Sequence, residues 1–162
     1  MFEYIYFARP DSILNGKCAY EYRKNFGKEL AKESSLDVDL VVPVPDSGNA
    51  AAIGYSQYTG NNFDLGLIRN HYVGRTFIEP VQKIRSLGVK LKLNANISTI
   101  KNINIVLIDD SLVRGTTCFK IVKMLYDAGA KEVHVKIACP EIKHPDFYGV
   151  AVSYTHLRAH ET

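Results

Sequence analysis

One stretch constrains this 162-residue chain more than any other: Ile105-Val-Leu-Ile-Asp109-Asp110-Ser-Leu-Val-Arg114-Gly115-Thr116-Thr117. Residues 104–108 (NIVLI) are apolar without alternation, which predicts a strand buried on both faces. The helix expected over residues 116–128 places Cys118, Ile121, Val122, Leu125 and Ala128 on one stripe, and Gly129 supplies a left-handed stop. A doubly buried strand running through a loop into an amphipathic helix is half of a strand-helix-strand crossover. It belongs in a parallel sheet with helices on both faces.

The rest of the chain follows the same alternation. Residues 2–8 (FEYIYFA) read as a strand that stops at the turn-forming Arg9-Pro10-Asp11-Ser12. Ala19, Tyr22, Phe26 and Leu30 recur at helical spacing within residues 18–33. Residues 40–44 (LVVPV) form a short apolar strand, Asp46-Ser47-Gly48 a tight polar turn, and residues 50–58 an alanine-rich helix. Further strands are expected near residues 64–68 and over residues 132–138 (EVHVKIA). No internal repeat is found. Residues 151–162 carry neither a strand nor a helix pattern and read as a non-native or fraying extension of a domain over residues 1–150.

At this length a single core is expected, and the 46% hydrophobic and 23% charged content excludes disorder and fibrous classes. No apolar run approaches the roughly 20 residues of a membrane span, and the start of the chain lacks a basic signal-peptide region. Cys18, Cys118 and Cys139 are widely spaced, which indicates neither a disulfide framework nor a zinc site. These features together predict a cytoplasmic protein with no membrane partner. Charge is uneven: residues 69–104 carry Arg69, Arg75, Lys83, Arg85, Lys90, Lys92 and Lys101 against Glu79 alone, a local +6 in a chain of +3. That window suits a polyanion. Its only rings are Tyr72 and Phe77, which disfavours nucleic acid and leaves a small phosphorylated ligand.

The chemistry follows from the residue types. Open parallel sheets bind ligands at the carboxyl ends of their strands, where Asp109 and Asp110 are delivered. The start of the following helix presents free N–H groups and a positive dipole end to a phosphate, with Gly115 allowing close approach and Thr116 and Thr117 adding hydroxyls. Two carboxylates cannot bind phosphate and so face hydroxyls or a divalent cation. Asp46, Ser47 and Gly48 form a second strand-to-helix turn, either an ordinary N-cap or a backbone nest for an anion, and Gly48 can offer only its backbone.

The stretch from Asp109 to Thr117 resembles the phosphoribosyl diphosphate (PRPP) signature of the type I phosphoribosyltransferases. Glu3-Tyr-Ile-Tyr-Phe-Ala-Arg-Pro-Asp-Ser12, Val44-Pro-Asp-Ser47, Asn70-His-Tyr-Val-Gly-Arg-Thr-Phe-Ile78 and Lys92-Leu-Asn94 narrow the resemblance to the amidophosphoribosyltransferase family, over about residues 2–150. The resemblance implies a central parallel sheet flanked by helices and a flexible basic flap over residues 71–94. It also implies transfer of phosphoribose from PRPP to ammonia, giving 5-phosphoribosylamine and pyrophosphate, the first step of purine synthesis. Asp46, Ser47, Gly48, Asp109, Asp110, Ser111, Arg114, Gly115, Thr116 and Thr117 would bind substrate. Asp109 and Asp110 would also hold Mg2+, and Arg75 and Lys92 would serve catalysis at the pyrophosphate. His71 stands where the family usually has Arg, and Asp146 where its iron-sulfur branch has a cluster cysteine, so no iron-sulfur cluster is expected. Family members carry a preceding glutaminase domain on the same chain and form homo-oligomers when intact. With Met1 at its start, this sequence resembles the synthetase half alone. The alternatives are a base-salvage phosphoribosyltransferase, for which no base-binding hood is evident, and a PRPP-binding regulator or nucleic-acid-binding protein of the same fold.

Overall fold

The computed structural model describes residues 3–34, 36–70, 92–112 and 115–140. Its elements in chain order are a π-helical turn (Glu3–Phe7), β1 (Ile13–Leu14), β2 (Lys17–Cys18), α1 (Ala19–Glu33), β3 (Leu40–Pro43), α2 (Asn49–Thr59) and β4 (Asn62–Phe63). They continue with β5 (Leu67–Arg69), β6 (Leu93–Ala95), α3 (Ile97–Ile100), β7 (Asn104–Asp109), α4 (Thr116–Asp127) and β8 (Glu132–Ile137).

The main sheet has the order β4-β3-β7-β8 with every pairing parallel. Leu40 lies opposite Ile105 and Pro43 opposite Ile108, while Asn104 lies opposite Glu132 and Asp109 opposite Ile137. This register sends successive side chains to opposite faces. Leu40, Val42, Val44, Ile105 and Leu107 pack with Ile121 and Leu125 of α4 and with Leu67, Leu93 and Ile100. Val41, Val106 and Ile108 pack with Leu30 and Ala31 of α1 and with Ala51, Ala52 and Tyr55 of α2. The two central strands are therefore buried on both sides, as their unbroken apolar runs require. Each large aliphatic side chain so buried stabilises the fold by about 1.5–3 kcal/mol.

The helices α1 and α2 meet backbone to backbone. A Cβ on Gly27 would lie 1.8 Å from the Ala51 carbonyl oxygen, and one on Gly54 would lie 1.9 Å from that of Lys24. Only glycine permits this crossing.

Residues 2–8 depart from the strand expected of them. Glu3–Phe7 forms a π-helical turn in which the Ala8 N–H donates to the Glu3 carbonyl at 2.9 Å. The Arg23 guanidinium on α1 donates to the carbonyls of Tyr4 (2.9 Å) and Ala8 (2.8 Å), Tyr4 stacks edge-on against Tyr22, and Ile5 is buried. These tertiary contacts outweigh the strand propensity of aromatic and branched residues. Of the strand expected near residues 64–68 only Leu67 and Ile68 are in a strand: β4 ends at Phe63 in the main sheet, the chain bends through residues 64–66, and β5 pairs antiparallel with β6. Residues 71–91 and 151–162, on which the flap and tail expectations fall, lie outside the described residues. Among the described residues, no helix is long and apolar enough to cross a membrane.

Candidate functional site

Two strand-to-helix loops lie side by side because β3 and β7 are adjacent and parallel. The first leaves β3 through Val44 and reaches α2 at Asn49. Its course is set by the sheet: the Val44 N–H donates to the Ile108 carbonyl at 2.8 Å, and the Gly48 N–H returns to the Val44 carbonyl at 2.9 Å. Gly48 is buried, and a Cβ there would lie 2.4 Å from the Ile108 carbonyl oxygen. The Pro45–Asp46 peptide is cis. Asp46 and Ser47 are exposed, and no side chain caps the N-terminus of α2. Among the described residues the positive dipole end of α2 therefore has no capping side chain.

The second loop leaves β7 at Asp109. The Asp110 N–H donates to Asp109 Oδ1 at 2.9 Å, and the Ser111 hydroxyl donates to Asp110 Oδ1 at 3.1 Å. Gly115 precedes α4 with φ +67°, the left-handed conformation that favours glycine. Among the described residues no side chain caps this helix either, and Thr116 and Thr117 stand exposed in its first turn.

The loops meet through their side chains. Burial pushes the Asp109 carboxyl up to about 7; the negative charge of Asp110 adds to the rise, while hydrogen bonds from the Asp110 backbone and the Ser47 hydroxyl oppose it. Ser47 and Asp110 also line a narrow cavity together with Ile5, Arg23, Phe26, Ala51 and Ala138. Asp46, Ser47, Gly48, Asp109, Asp110, Ser111, Gly115, Thr116 and Thr117 thus lie on two neighbouring loops at one edge of the sheet. Lys92 is half-buried immediately before β6, where its carbonyl accepts from the Asn70 N–H at 2.8 Å. Arg75 and Arg114 lie outside the described residues.

Sequence reasoning missed Arg69. It ends β5, and its guanidinium pairs with the Asp46 carboxylate across the loop. The only signal was its position at the start of the basic window, which does not reveal a partner 23 residues earlier. The thiols gain a clearer role as bystanders. Burial, then the charge of Asp109, raises the Cys118 thiol; burial, then the charge of Asp110, raises that of Cys139. Both stay protonated and weakly nucleophilic at neutral pH.

Among the described residues no group of three or more His, Cys, Asp or Glu could enclose a metal ion. Asp109 and Asp110 alone suit Mg2+, which keeps several waters and needs one or two carboxylates plus substrate oxygens. Burial and the charge of Asp110 hold back ionisation of Asp109, and a divalent cation there would favour it.

No protein-family model matches the chain. The amidophosphoribosyltransferase of Rhizobium etli is 60% identical over 150 residues, covering 93% of this chain and 30% of that protein. That of Bacillus subtilis is 54% identical over 151 residues, covering 93% and 32%. The chloroplastic amidophosphoribosyltransferase of Glycine max is 56% identical over 150 residues, covering 93% and 26%. Two solved structures match with a TM-score of 0.82 at 54% identity over 96% of this chain. One is described as the allosteric regulatory enzyme of purine biosynthesis, and the other as the glutamine PRPP amidotransferase of B. subtilis complexed with ADP and GMP; the chain covers 33% and 34% of them. The chain spans about 30% of the length of the curated relatives it matches. Over that span it belongs to the amidophosphoribosyltransferase family and has the type I phosphoribosyltransferase fold.

Proposed function

We propose that this chain carries the phosphoribosyl-transfer half of an amidophosphoribosyltransferase reaction: ammonia attacks the anomeric carbon of PRPP, and pyrophosphate leaves as 5-phosphoribosylamine forms. The observation that carries the reading is the convergence of two uncapped helix N-termini on the Asp109–Asp110 pair, linked by Ser47. One terminus suits the 5-phosphate and the other the pyrophosphate, with the acids between them for ribose hydroxyls.

The bond to pyrophosphate breaks with positive charge developing on the ribose ring, as in glycoside cleavage. Asp109 and Asp110 would hold the ribose hydroxyls in position. The N–H groups and hydroxyls at Gly115, Thr116 and Thr117 would anchor the 5-phosphate, with Ser111 and Arg114 on the same loop. The Asp46-Ser47-Gly48 backbone, Arg75 and Lys92 would stabilise charge on the departing pyrophosphate. Mg2+ held by Asp109 and Asp110, when bound, would neutralise charge on the diphosphate. No covalent nucleophile is needed, and the raised Cys118 and Cys139 thiols supply none.

Titration calorimetry with PRPP, with and without magnesium, tests the assignment. Asp110→Asn should weaken magnesium-dependent binding at least tenfold; unchanged affinity in both conditions overturns the acid-pair reading. Pyrophosphate release from this chain should occur with ammonium chloride and not with glutamine, and glutamine-dependent release would contradict the half-reaction.

A further inference from the structure

Arg69 occupies a junction. It ends β5, one residue before the Asn70 N–H closes onto the Lys92 carbonyl at 2.8 Å, so it stands at the base of the β5–β6 hairpin. Its guanidinium reaches Asp46, the first residue of the turn that leads into α2. Both side chains are about half exposed, at 47% and 53%, so either can exchange its partner for water or a solute at little cost.

The placement of Asp46 is otherwise unfavourable to anion binding. Its carboxylate stands at the mouth of an uncapped helix N-terminus, where an incoming phosphoryl group meets repulsion. Arg69 neutralises that charge and is itself occupied in doing so. A guanidinium forms paired, parallel hydrogen bonds to phosphoryl oxygens as readily as to a carboxylate, and a more highly charged anion wins the competition.

We propose that Arg69 is a further pyrophosphate-binding residue held in reserve by Asp46, so that the anion enters the α2 turn by taking the guanidinium from the carboxylate. The proposal rests on the reading of that turn as the pyrophosphate site. In it Asp46 is an internal competitor: it keeps Arg69 aimed at the turn and lowers the affinity of the turn for anions. The exchange also ties arrival of the anion to the hairpin that carries Arg69, since the contact between hairpin and turn is then made through the ligand.

The test is calorimetric titration of inorganic pyrophosphate into the whole chain and into Asp46→Asn, Arg69→Gln and the double variant. Asp46→Asn should tighten binding about two- to fivefold, the range of an exposed ion pair. Arg69→Gln should weaken it at least about tenfold, since it loses the guanidinium and leaves the Asp46 charge unopposed, and the double variant should recover part of that loss without reaching the parent. A merely structural bridge would make both single variants weaken binding alike, and that result, or an unchanged Asp46→Asn affinity, overturns the proposal. Melting temperatures within about 2 °C of the parent would show that all three variants fold. Pyrophosphate binding without tightening in Asp46→Asn removes the clasp and leaves the proposed function intact. Failure of both the parent and Asp46→Asn to bind pyrophosphate removes the clasp together with the pyrophosphate assignment of the turn.

Discussion

The loop after β3 and the loop after β7 do related work by opposite means. The first is held by backbone: Val44 and Gly48 bond back onto the sheet and onto each other, and Gly48 leaves no room for a single added carbon beside the Ile108 carbonyl. Besides the bond from the Ala138 N–H to the Asp109 carbonyl, the second relies on side chains that bond to their neighbours at Asp109, Asp110 and Ser111, and it concentrates negative charge where solvent is scarce. Shape is therefore settled in the first loop before any ligand arrives. Electrostatics remain unsettled in the second until positive charge is supplied.

The largest break in this comparison is expected at Gly48. Gly48→Ala forces Cβ against backbone on two sides, Ile108 and Val44, and should destabilise the fold by about 3 kcal/mol, the upper range of overpacking costs. Urea denaturation measures it; a cost below about 1 kcal/mol would show that the first loop yields where the contacts say it cannot.

The next effect has the opposite sign and belongs to the second loop. Below about pH 4, Asp109 is protonated whether the chain is folded or unfolded. As pH rises toward about 7, the unfolded chain sheds this proton while the folded chain retains it, so stability falls across that window and the loss is complete above it. Asp109→Asn keeps an acceptor for the Asp110 N–H and removes the charge. It should stabilise the ligand-free protein by about 1–2 kcal/mol at pH 8, flatten the pH 4–7 decline and remove magnesium-dependent PRPP binding. Thermal melts across pH check the first two outcomes, and a less stable variant at pH 8 would refute the account of the buried charge.

The smallest effect sharpens the contrast. Gly115 holds the left-handed conformation, so Gly115→Ala should cost about 1 kcal/mol in the same urea experiment. A Gly115→Ala cost equal to that of Gly48→Ala would erase the distinction between the loops.

What the sequence disclosed depended on how local its causes were. The β7 strand and the α4 stripe were legible because burial on both faces and helical period are written into consecutive residues: Ile105 to Ile108 are fully buried, and Ile121 and Leu125 face the sheet. The same alternation put Asp46 to Gly48 and Asp109 after strands, but that those two strands are neighbours is known only from the β3–β7 pairing. The π-helical turn of residues 3–7 was not legible, because Arg23 satisfies its carbonyls from another element. The β1–β2 hairpin escaped notice although Asn15 and Gly16, both at positive φ, are a recognised hairpin pair. Arg69 was legible as a charge and not as a partner, since its position over Asp46 depends on the β5–β6 hairpin crossing to the β3 edge of the site.

The paired glycines between α1 and α2 have a mechanical consequence. Gly27 on Ala51 and Gly54 on Lys24 act as two pins, each setting one helix backbone into the other, and two pins suppress sliding and rolling together. The helix α2 is thereby a datum for the whole site: its first turn cannot drift to accommodate what enters. A ligand must match the spacing of that turn or displace something else. The parts left to yield are the hairpin and the acid-bearing loop, so adaptation to the ligand falls on one side of the sheet while the other serves as the gauge.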